Sequence, residues 1–136
     1  MSLDSLEKEI SKLLEREYTL TCQSGSSAII TALQSLPASP KKELIIPAIC
    51  CPQVLSAVAF AGYQPILAYV GLDNFCINVE SIKKVYIKNT VAILAIHSFG
   101  HPCEIEAIAD FSKEKNIYLI EDCCQSLGGE YNKRPL

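Results

Sequence analysis

No stretch of this 136-residue sequence is long and apolar enough to cross a bilayer; its longest apolar runs have the length of a strand. An excess of positive charge is lacking as well. Twelve Lys and Arg face 15 Asp and Glu, a net charge of −3, so nothing electrostatic favours nucleic acid or an acidic membrane surface as a partner. The pairs Lys41-Lys42 and Lys83-Lys84 are too short to act as basic patches and read as solvated surface. The opening stretch MSLDSLEKEISKLLERE has no apolar segment of the kind a secretory signal needs, and a cytoplasmic location is the expectation. Internal repeats, low-complexity tracts and linkers are also missing. Cysteine is not scarce, with residues 22, 50, 51, 76, 103, 123 and 124, but an odd count without a secretory signal argues against a disulfide framework. No pair has C-x-x-C spacing, and the adjacent thiols Cys50-Cys51 and Cys123-Cys124 diverge in extended backbone, away from any single metal ion. Reduced, half-buried thiols and no metal site are expected.

What is present is ordinary for an α/β protein: 49% apolar and 20% charged residues in a chain long enough to bury a core as one domain or part of one. Leu6, Ile10, Leu13 and Leu14 share one face of a helix over 4–16. A short strand is predicted at 18–22 (YTLTC), then a helical run to Leu36. ELIIP (43–47) reads as a buried strand, and Pro52 opens a helix that stops near Gly62. A strand over 65–70, a loop over 71–78, a helix over 79–85, a strand over 91–96, a helix over 104–115 and a strand over 117–121 follow. Nearly continuous apolar strands between helices imply a mostly parallel sheet sandwiched by helices.

Open parallel sheets bind ligands beyond the carboxyl ends of their strands. Three segments qualify. In QSGSSAI, Gly25 lets backbone approach an anion, while Ser26 and Ser27 offer hydroxyl and N–H groups at the positive end of a helix. A phosphate cradle and an ordinary serine N-cap both fit. IIPAICCPQV is a strand-to-helix turn that could cover a flat ligand or be structural only. In LIEDCCQSLGG, Asp122 follows an apolar strand directly, and its carboxylate needs a cation or donors that the chain does not obviously supply. Gln125 can both donate and accept. A ligand partner for Asp122 and a turn-capping Asp with a solvent-facing Gln125 remain the alternatives. His97 and His101 are four apart, but Gly100 and Pro102 break any helix that would align the rings on a metal; His97 reads as a satisfied, partly buried imidazole.

The segments SGSSAI, IIPAICCP, GYQPILAYV, ILAIHSFGHPCEIEAI and YLIEDCCQSLGGEY, in this order and spacing, resemble the DegT/DnrJ/StrS-type sugar aminotransferases from about Leu6 to Tyr131. The resemblance implies the large domain of a fold-type I transferase dependent on pyridoxal 5'-phosphate (PLP). It implies that Gly25, Ser26 and Ser27 hold the cofactor phosphate, that Asp122 pairs with the protonated pyridine nitrogen, and that Gln125 hydrogen-bonds the phenolic oxygen. It also implies a reaction that moves an amino group, usually from glutamate, onto a keto sugar attached to a nucleotide, in surface-polysaccharide or antibiotic-sugar synthesis.

This sequence departs from the family pattern in three places. Cys51 stands where many members stack an aromatic residue on the ring, and Cys123 and Cys124 replace small residues, commonly alanines. The lysine that carries the cofactor falls several tens of residues beyond the Asp-Gln motif in the family, past Leu136, so no catalytic residue is assigned. The chain, residues 1–136, is therefore expected to be a single incomplete cofactor-binding domain without the smaller C-terminal domain. It would supply half a PLP site and be inactive alone. The alternatives are a non-catalytic remnant or split subunit, assembling as a homodimer or with a separate C-terminal half, and a thiol redox or metal protein built on Cys50, Cys51, Cys123 and Cys124.

Overall fold

The computed structural model describes residues 2–136. Strands β1 (Glu43–Pro47), β2 (Gln64–Ala68), β3 (Thr90–Ile96) and β4 (Tyr118–Asp122) form one all-parallel sheet in the order β2-β1-β3-β4. Every residue of β3 is buried, as an apolar run without alternation requires. Successive side chains point to opposite faces, so each central strand feeds two cores. Leu44, Ile46, Ala92 and Leu94 pack with Leu33, Val54 and Val58 of helices α2 (Gly25–Gln34) and α3 (Pro52–Phe60). Ile45, Ile93 and Ala95 pack on the other face with Ile82 of α4 (Val79–Val85) and with Ile108 and Phe111 of α5 (Ile105–Lys115).

The helix ends follow from local chemistry. Pro52 sits in the first turn of α3, where its missing N–H costs nothing. Asn78 and Ser81 close a capping box on α4. Asn116 ends α5 in the left-handed region at φ 52°, which Asn tolerates. Helix α1 (Leu3–Leu13) is shorter than its 4–16 periodicity suggests. Glu15 turns left-handed at φ 51°, and the N–H groups of Glu15 and Arg16 close back on Lys12 and Ser11.

The segment 18–22 is not a strand. Its alternation is right, but it lies along α1 and pairs with no strand: Thr21 N–H donates to Glu7 Oε1 at 2.7 Å, and the Thr19 and Ser11 hydroxyls bond at 2.8 Å. Tyr18 and Leu20 stay exposed. A hairpin that the sequence reading omitted closes the chain, β5 (Glu130–Tyr131) against β6 (Arg134–Pro135). Its two-residue loop, Asn132-Lys133, has φ of 50° and 65°, the sign a type I′ turn requires at both positions. Among the described residues no helix is long and apolar enough to cross a membrane.

Candidate active site

In the strand order β2-β1-β3-β4 the chain leaves β1 in one direction and returns past it to β3, which opens a crevice beyond the carboxyl ends of β1 and β3. A cleft of about 790 Å³ lies there, within the range of cofactor-sized pockets. Its walls are the β1–α3 turn with Cys50 and Cys51, the β3–α5 loop with Ser98 and Phe99, the end of β4 with Asp122 and the turn after it with Gln125, and the start of α2. Five of the six residues singled out from sequence, Gly25, Ser26, Cys51, Asp122 and Gln125, line this one cleft.

Ser27 does not. Its hydroxyl donates to the Ser24 carbonyl at 2.8 Å and accepts the Ser24 N–H at 2.9 Å, completing a capping box in which the Ser24 hydroxyl takes the Ser27 N–H. With Ser24 and Ser27 occupied by each other, the N–H groups of Gly25 and Ser26 and the Ser26 hydroxyl find no acceptor among the described residues. A Cβ added at Gly25 would meet no atom within 4 Å, so the space above that peptide is open. The result is a donor-rich corner at the positive end of a ten-residue helix.

The opposite wall is acidic. Asp122 ends β4 half-buried, its carbonyl fixed by the His97 N–H at 3.0 Å and its Oδ1 by the Cys124 N–H at 3.0 Å. The second carboxylate oxygen has no partner, and no cation pairs with Asp122 among the described residues. Gln125, three residues on, accepts the Phe99 N–H at its Oε1 at 2.7 Å. Cys51 turns its thiol onto Gln53 Oε1 at 2.7 Å. No lysine or arginine lines the cleft among the described residues.

A model of the DegT/DnrJ/EryC1/StrS aminotransferase family matches residues 2–136. The chain belongs to this family. The GDP-perosamine synthase of Vibrio cholerae is 28% identical over 130 residues, which are 96% of this chain and 35% of that protein. An aminotransferase from Psychrobacter cryohalolentis superposes with a TM-score of 0.94 at 28% identity, over 98% of this chain and 34% of the other. A Bacillus subtilis protein solved with bound cofactor PMP gives 0.89 at 30% identity, over 94% and 29% of the two chains. The chain spans about a third of the length of the curated relatives it matches.

Within this family frame the thiols and imidazole take a supporting place. His97 is fully buried, and the Cys103 N–H donates to its Nδ1 at 3.0 Å, so Nδ1 keeps its lone pair and the proton sits on Nε2, facing Glu121 Oε2 at 3.4 Å. His97, Glu121 and Cys123 are close enough to share an ion. A metal would need the Nε2 lone pair, which this tautomer does not offer. Burial opposes charge on the ring, while the Cys103 and Cys123 sulfurs and Glu121 raise its pKa overall. The Cys103 N–H aimed at Nδ1 requires a lone pair there, which only the neutral ring has. Burial, with the Cys51 sulfur adding to it, also pushes the Cys50 thiol up, toward the unreactive form. Sequence reasoning had not placed Phe99 or Glu121 in this neighbourhood. Phe99 reaches the cleft only through a left-handed backbone that no local pattern signals.

Proposed function

We propose that this chain is the cofactor-binding part of a PLP-dependent aminotransferase that moves an amino group from an amino acid such as glutamate onto a keto sugar carried by a nucleotide. The observation that carries the reading is Asp122, a half-buried carboxylate with a free oxygen, no cation of its own among the described residues, and a donor-rich corner across the same cleft. A ligand that is cationic at one end and an oxyanion at the other satisfies both. PLP has that polarity, with a protonated ring nitrogen and a phosphate, and the residues fit it. When bound, it supplies an electron sink for the reacting carbon.

On this reading the free N–H groups of Gly25 and Ser26 and the Ser26 hydroxyl bind the phosphate. Ser27 acts one step back, keeping Ser24 from competing. Asp122 holds the proton on the ring nitrogen, and the Gln125 amide donates to the phenolic oxygen. Cys51 covers part of one ring face with less area than an aromatic side chain would. The nucleotide sugar of the Vibrio relative's name supports the substrate class. With no lysine or arginine lining the cleft among the described residues, the lysine that carries the cofactor is read as coming from a C-terminal part or from a second chain. Residues 1–136 then work in a homodimer or together with a C-terminal part.

Titration of the chain with pyridoxamine phosphate, followed by its fluorescence, tests this; lacking an aldehyde, the probe cannot react with surface lysines. One saturable site is expected, weakened about fivefold in Ser26→Ala, the worth of one hydrogen bond. The same samples should run on size exclusion as a dimer or larger. No saturation, or an unchanged Ser26→Ala curve, rejects the cofactor assignment, and a clean monomer rejects the assembly.

A further inference from the structure

The segment His97–Gly100 has no part in the cofactor contacts above, yet it is tied to both residues that make them on the β4 side. The His97 N–H holds the Asp122 carbonyl, and the Phe99 N–H holds Gln125 Oε1 at 2.7 Å. Phe99 is a bulky residue in the left-handed region, at φ 55° and ψ 26°. A side chain with a Cβ pays for that conformation, at a functional cleft, only where the surroundings enforce it. The surroundings here are specific. The Phe99 ring meets Phe75, itself at φ 57°, edge to face at 5.6 Å between centroids. The Cys76 thiol then ties that loop to the His101 carbonyl at 3.2 Å, and the His101 N–H returns to Ser98.

We infer that Phe99 is a positioning residue, whose left-handed backbone locks the Gln125 amide with its oxygen on the loop and its NH2 toward the cleft. The Phe99 N–H can only donate. A flipped Gln125 would set its own NH2 against that donor and lose the bond, so one of the two amide orientations is removed. The Gln125 NH2 has no acceptor among the described residues. Gln125 and Asp122 line the same cleft, which therefore presents a fixed donor as well as a carboxylate and selects a ligand that carries an anionic or acceptor oxygen together with its cationic ring. The identity of that oxygen, the phenolic one, rests on the cofactor reading above; the amide lock does not.

The two are separable by experiment. In the ligand-free chain, the Phe99 amide should exchange with solvent slowly, and roughly tenfold faster in Gln125→Ala. Equal exchange in both overturns the lock, whatever the chain binds. With pyridoxamine phosphate, Phe99→Gly and Phe99→Asn keep the left-handed backbone and the N–H, and should bind within about twofold of the parent. Phe99→Val, whose β-branch disfavours φ > 0, and Gln125→Glu, which puts an acceptor where the donor was, should each bind about tenfold more weakly. Phe99→Val binding as well as Phe99→Gly overturns the proposal. If Phe99→Val does not fold, Gln125→Glu decides, with undiminished affinity counting against it. Failure of the parent chain to bind the probe rejects the cofactor reading and leaves the exchange result to judge the lock.

Discussion

Asp122→Ala is expected to lower the affinity of the chain for pyridoxamine phosphate by about 10–100-fold, the largest loss of any single cleft substitution, because a charge-assisted bond in a half-buried site is worth roughly 1.5–3 kcal/mol. The substitution should leave the fold intact. The Asp122 side chain makes one internal hydrogen bond, to the Cys124 N–H, and the strand is held through the Asp122 carbonyl, which alanine keeps. Asp122→Asn separates charge from shape: it preserves the contact to Cys124 but cannot balance a ring proton. The bound probe should then show a spectrum of the unprotonated ring, at an affinity near that of the alanine variant. An Asp122→Asn chain that binds as tightly as the parent would show that the carboxylate does not face a cation.

Ile93→Ala should have the largest effect on stability. Ile93 is completely buried in the middle of β3, pairs with both Ile45 and Leu119, and faces the core under α4 and α5. Removing its branched side chain leaves a cavity in a sheet whose neighbours on either side cannot close in, a loss of about 2–5 kcal/mol. Against a total of roughly 5–15 kcal/mol for a domain, that is enough to unfold much of the population under mild denaturant. Urea unfolding followed by circular dichroism measures it, with Leu20→Ala as the control. Leu20 is 69% exposed and should shift the midpoint by no more than about 0.5 kcal/mol. Similar shifts in the two variants would place the core elsewhere.

Much of this architecture was readable because the sheet is buried on both faces. Beyond Glu43 at its start, ELIIP has no polar residue, and VAILAI has none, so nothing confuses either strand with anything else, and both fall where their runs predict. The strand expected at 18–22 shows the limit of pattern alone. Tyr18, Thr19, Leu20 and Thr21 alternate as an edge strand would, but alternation says nothing about whether a partner strand is within reach, and here α1 takes the hydrogen bonds instead. The closing hairpin was hidden for the opposite reason. Its turn needs two residues at positive φ, and the second is Lys133, a residue type that does not announce one.

The site was legible as a set of residue types and blurred as geometry. Asp122 could be recognised because an acid directly after an apolar strand stands out, and it does end β4 at the cleft. Ser26 and Ser27 looked equivalent on paper. A single position along the helix separates their roles, since only the residue three after the N-cap can return a hydrogen bond to it. The part played by Phe99 depends on a tertiary tie to Gln125, which sequence proximity cannot reveal.

The order of the strands also bears on how the cleft comes into being. β1 reaches β2 across one helix, and β3 reaches β4 likewise, whereas Ile45 meets Ile93 only after α3, β2 and α4 have been laid between them. Closing that longer loop costs more chain entropy and slows pairing. The two outer pairs should therefore form first and the central seam last, with the amides of Ile45 and Leu94 gaining protection after those of Ile66 and Ile120 in pulse-labelling exchange during refolding. The seam divides the cleft. Cys51 lies on the β1–β2 half; Asp122 and Gln125 lie on the β3–β4 half. A ligand spanning both walls would thus act as a clasp on the slowest joint of the sheet, holding shut the step that the chain alone completes last.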